Sequence, residues 1–61
     1  MTQKELLYLE DAIGQEKNII SICNNIISML NDKDLVIFME KEVKKHNDLY
    51  NKLLNKLEGE C

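Results

Sequence analysis

Three ionisable side chains, Glu16, Glu42 and His46, interrupt columns of this chain that are otherwise apolar. One column runs Leu6, Leu9, Ile13, Glu16, Ile20, Cys23, Ile27, Leu30, in steps of three and four residues. A second runs Val36, Met39, Val43, His46, Tyr50, Leu53, Leu57, and Glu42 stands between Leu35 and Leu49 in the column beside it. Steps of three and four mark one face of an α-helix. A carboxylate or imidazole carried into such a face is costly unless something pairs with it. Two chemistries would supply the pairing. The three groups are hard and borderline donors suited to Fe, Mn or Zn. Alternatively they satisfy one another, with the Tyr50 hydroxyl, in a metal-free network that sets helix register.

The elements that must position these groups are two helices. Thr2-x-x-Glu5 before Leu6 has the form of a capping box and starts the first helix near residue 3. The apolar period then holds to Leu30. Asn31-Asp32-Lys33-Asp34 combines turn formers with acidic residues suited to a helix start, with Asp32 as N-cap. The second helix runs to about residue 58, where Gly59 is placed to stop it. The spacing thus predicts one domain over residues 1–61: helix 1 at about 3–30, helix 2 at about 33–58, and a short loop between. Arms of this length reach roughly 40 Å. Glu16 and His46 fall near the two helix midpoints, so Glu16, Glu42 and His46 are expected at about one height. Matching the arms about residues 32 and 33 puts Tyr50 about level with Glu16 and His46 about level with Ile20, which makes a Glu16–Tyr50 hydrogen bond geometrically easy beside the Glu–His pair. Gly14, inside helix 1, costs roughly 1 kcal/mol relative to alanine. It is expected to admit a neighbouring helix at close range.

The apolar faces are too wide for a hairpin to cover alone. Ala12, Ile19 and Ile26 flank the first seam, with Ile22 and Met29 beyond; Leu35 and Leu49 flank the second, with Phe38 and Leu54 nearby. A two-stranded seam would show only its two core positions per heptad. At 61 residues the chain is also short enough for stability to be marginal without a staple, a metal or a partner. The fold class expected is all-α: a two-helix antiparallel hairpin that dimerises into a ferritin-like four-helix bundle, with Ile13, Gly14, Ile20, Cys23, Val43 and Tyr50 in the dimer core. A two-fold axis at mid-height would gather four carboxylates and two histidines. That is the inventory of di-iron and di-manganese carboxylate bundles, though those use Glu-x-x-His. Here Val43 stands three before His46, and the carboxylate, Glu42, stands four before, still on the same face.

Composition excludes several functions. The net charge is −3 and all eight basic residues are lysine, so no arginine offers bidentate recognition of phosphate or bases, and nucleic acid is not an expected partner. Lys41, Lys44, Lys45, Lys52 and Lys56 lie along helix 2 among acidic residues and read as a solvated face; an adaptor role toward an acidic partner is the lesser reading. The N-terminus lacks a secretory pattern and no apolar run reaches about 18 residues, so a cytoplasmic protein off the membrane is expected. Cys23 reads as a small core residue and Cys61 as a free thiol or an intermolecular disulfide; neither has a CxxC or Cys/His neighbour. No nucleophile constellation or phosphate loop is present, and no enzymatic activity is expected.

Three segments carry a family resemblance. Leu6-Leu7-Tyr8-Leu9-Glu10-Asp11-Ala12-Ile13-Gly14-Gln15-Glu16-Lys17, Asn31-Asp32-Lys33-Asp34-Leu35 and Lys45-His46-Asn47-Asp48-Leu49-Tyr50-Asn51-Lys52-Leu53-Leu54 together resemble the Coat F family of spore-coat proteins. The likeness is to that family's LEDALGHE segment, its DPEL-type turn and its QQHQ segment, and it covers nearly the whole chain. Gly14-Gln15-Glu16 stands where the family has Gly-His-Glu, and Asp32-Lys33-Asp34 lacks its proline. The resemblance implies a ferritin-like helical unit associated with the spore coat, other coat proteins as partners, deposition from the mother-cell cytosol and no established reaction. At half the length of a complete bundle, such a chain would form one by dimerising.

Overall fold

The computed structural model describes residues 1–59 and consists of two helices packed as an antiparallel hairpin, α1 (Gln3–Met29) and α2 (Lys33–Gly59), without strands among the described residues. The expected intermolecular role of Cys61 lies outside the described residues. Each helix start is built by side chains. Thr2, in extended conformation, accepts the Glu5 backbone N–H on Oγ1 at 3.1 Å, and its own backbone N–H donates to Glu5 Oε1 at 2.8 Å, completing the capping box. The Thr2 backbone N–H first, and then the Thr2 hydroxyl beside it, hold the Glu5 carboxyl below the usual carboxylate range. Because the folded-state pKa is the lower one, this contribution is present at neutral pH and is lost as the pH falls through it. At the second start, Asp32 Oδ1 accepts from the Leu35 N–H at 3.1 Å. Aspartate in this position also answers the positive end of the helix dipole.

The connection between the helices is Leu30, Asn31 and Asp32. Leu30 leaves α1 in an extended conformation while its N–H still reaches the Ile27 carbonyl at 3.2 Å. The described residues include no positive φ, so the reversal uses no left-handed residue. The same observation corrects the expectation for Gly59, which is the last residue of α2 rather than a left-handed stop.

Every residue of both predicted seams is half-buried, as are Ala12, Ile19, Glu42 and Leu54 beside them. None of the described residues is fully buried. A single pair of helices closes one contact line, and side chains on that line keep one side open to water. The hairpin is 45 Å long, and no helix among the described residues is long and apolar enough to cross a membrane.

Candidate functional site

Each helix has 27 residues, and Glu16 and His46 are the central residues of the two. They meet across the seam: His46 Nδ1 lies 2.5 Å from Glu16 Oε2. With Glu16 ionised the carboxylate can only accept, so the ring proton sits on Nδ1 and, in neutral imidazole, the lone pair sits on Nε2. The Glu16 side chain keeps 13 % of its exposure and that of His46 keeps 30 %, so the carboxylate is the inner partner and the imidazole the outer. Ile13 and Ile20, half-buried, stand one turn to either side of Glu16, and Val43 and Tyr50 do the same for His46.

This contact corrects the expected register. Since residues 16 and 46 meet, residue n of α1 lies level with residue 62 − n of α2, and the hairpin pivots about Asn31 rather than residues 32 and 33. A pivot moved by two residues moves the opposite partner by four, about one helical turn. Tyr50 is therefore level with Ala12, and Glu16 takes His46 in place of Tyr50. The cause is at the loop: α1 stops at Met29 and Asp32 caps α2, so the reversal centres on Asn31.

Glu42 does not share this height. It is level with Ile20, a turn nearer the loop, and its Oε1 accepts from Lys45 Nζ at 3.2 Å. Among the described residues no three His, Cys, Asp or Glu side chains are gathered to hold a metal ion. The metal expectation for Glu16, Glu42 and His46 depends on a layer shared by two chains. Within one chain Glu16 and His46 come together, and Glu42 stands apart.

Of the other expected core positions, Ile13, Ile20, Cys23, Val43 and Tyr50 line the seam between the chain's own helices, and Cys23 is a free thiol there. Gly14 is different. It is exposed, and a Cβ built on it meets nothing within 4 Å, so α2 makes no close approach there. At 100° per residue Gly14 stands about 140° around α1 from the seam.

The two broad faces of the hairpin are unlike. Asn24 of α1 and Glu40, Lys44 and Asn47 of α2 line one open groove with Ile27 and Val43, which defines a polar face. The opposite flank of α1 carries Ala12, Ile19, Ile22 and Ile26, and that of α2 carries Leu35, Phe38, Glu42 and Leu49. Both flanks therefore lie on the other face. Its loop half exposes hydrocarbon beside the Glu42–Lys45 pair: Ile22 is 50 % exposed, Leu35 50 % and Phe38 57 %. In its terminal half Tyr8 lies under the Lys4 ammonium, 5.9 Å from the ring centre. Sequence reasoning found the residues of this face from their columns. That both columns fall on one side of the hairpin needed the register. Compared with known protein families, with curated proteins and with solved structures, the chain finds no match in any of the three.

Proposed function

We propose that the chain is a structural interaction protein whose working form is a homodimer, two hairpins stacked through their apolar faces into a four-helix bundle. The observation that carries this is the missing core: no described residue is fully buried, and the surface is large for the mass. A compact monomer of 7.1 kDa exposes about 4,100 Å². This hairpin exposes 4876 Å². The surplus, roughly 800 Å², is the area each partner buries in an interface of standard size. The likeness of the LEDA-type segment and the His46 segment to Coat F proteins supports a setting in a spore coat, among other coat proteins. Sedimentation equilibrium at micromolar concentration is expected to give about twice the chain mass; a stably folded monomer refutes the reading.

A second reading, a metal-binding or redox bundle, is favoured by one contact. Histidines that ligate metals commonly donate the other ring N–H to a carboxylate, as His46 does to Glu16. A dimer with the two pairs in one layer would present two such Nε2 atoms. Added Fe(II), Mn(II) or Zn(II) would then raise the melting temperature, since an ion that binds only the folded state stabilises it. A melting temperature unmoved by all three refutes this reading and leaves the first intact.

A further inference from the structure

We infer that the two hairpins of the dimer lie with both loops at the same end, the two-fold axis running along the hairpin's length, so that α1 of each chain faces α2 of its partner. This rests on the proposed dimer and deepens it. Two stackings are open to a pair of identical hairpins that meet through one face. In one the axis is parallel to the helices and the loops coincide; in the other it crosses them at mid-height and the loops are at opposite ends. Both give antiparallel helix neighbours, so backbone packing does not separate them. The side chains on the face do.

With the axis along the helices, height is conserved. The register 62 − n then holds between chains as well as within one, to about one residue's rise. Ile26 faces the partner's Leu35, and Ala12 faces the partner's Leu49, a small residue against a large one. At the far end Glu5 faces the partner's Lys56, opposite charges at the rim of the face. The loop halves, where Ile22 and Phe38 stand more than half or about half exposed, cover each other.

With the axis across the helices, height is reversed. Ile26 then faces the partner's Glu5, Leu35 faces the partner's Lys56, and Lys45 comes against its own copy. The exposed Ile22, Ile26, Leu35 and Phe38 of the loop half would lie on the charged terminal half of the partner. Burying a charge against an apolar side chain costs more than either like pairing. Like charges directly opposed across an interface add to the penalty. Glu42 meets an apolar neighbour in either stacking, Ile19 in the first and Leu49 in the second, so the selection comes from the two ends of the face, where apolar area and charge both match in the first arrangement.

Spin labels test it. Asn31→Cys, in a chain carrying Cys23→Ala and Cys61→Ser, places one label at each loop of the intact dimer. Helix axes about 10 Å apart put the two loops within roughly 20–25 Å of each other. A dipolar distance in that range supports the arrangement; one near the 45 Å length of the hairpin overturns it while leaving the dimer standing. Sedimentation of the same sample separates the two failures, since a monomer removes the dimer itself.

Discussion

The two broad faces of the hairpin share one seam and differ in what they leave beside it. Asn24, Glu40, Lys44 and Asn47 border the seam on one side, and water already satisfies them. Ile19, Ile26, Leu35 and Leu49 border it on the other, and water does not. The difference shows that a helical period alone says which residues meet, whereas the width of the apolar stripe says whether the meeting is complete. Two helices of equal length can therefore form a regular hairpin and still lack a core. In the proposed dimer, the third and fourth helices would be specified by the flank.

The largest test of this contrast places a charge on each face in turn. Phe38→Asp or Ile26→Asp is expected to abolish dimerisation: burying a large apolar side chain contributes about 1.5–3 kcal/mol, and the loss counts twice in a symmetric pair. At 1.4 kcal/mol per factor of ten, that is a rise in Kd of roughly a hundred- to ten-thousandfold. Asn24→Asp and Asn47→Asp, on the polar face, are expected to leave the sedimentation profile unchanged. Equal sensitivity on both faces would dissolve the distinction.

A smaller effect sharpens the role of the seam between them. Glu16→Ala leaves the inner end of the central pair without its acceptor and is expected to cost about 1–3 kcal/mol by thermal or urea unfolding. His46→Leu together with Glu16→Leu, which replaces both partners by apolar side chains, is expected to be neutral or stabilising. A double variant less stable than Glu16→Ala alone would mean that the pair contributes more than mutual satisfaction.

The smallest concerns Gly14, which is exposed, helical and open around its Cα. Gly14→Ala is expected to raise stability by about 0.4–1 kcal/mol without altering the dimer, because alanine restricts the unfolded chain and meets nothing when folded. Weakened dimerisation in this variant would restore the expectation that Gly14 admits a neighbouring helix.

Much of the hairpin is legible from the residues. Thr2-x-x-Glu5 and Asp32 cap where the sequence places them, and both seams are the half-buried lines of the structure. The site was half legible. That Glu16 and His46 interrupt the two seams is visible from their spacing, but their contact depends on the pivot of the loop, and a two-residue change there substitutes Tyr50 for His46. Local signals fix a helix start to a residue or so, and a hairpin doubles that error across its arms. Glu42 stood in an apolar column and read as a third member of the centre; only the observed register shows it a turn away, beside Lys45. Gly14 misled for a different reason. Its cost to the helix is real, but cost alone carries no direction, and here the residue faces outward.

The pivot at Asn31 also bears on how quickly the molecule is made. Partners level with each other near the loop, such as Ile26 and Val36, are about ten residues apart along the chain, while those near the termini, such as Glu5 and Leu57, are about fifty apart. Closing the longer stretch from an open chain costs roughly 1.5 kcal/mol more in entropy. The hairpin is accordingly expected to zip from its loop outward, as chains rich in short-range contacts fold fast. The first segment to close is the one that bears Ile22, Leu35 and Phe38. A half-folded chain would thus already display the stickiest part of its surface, and in the proposed dimer two such chains would meet before either had finished its ends.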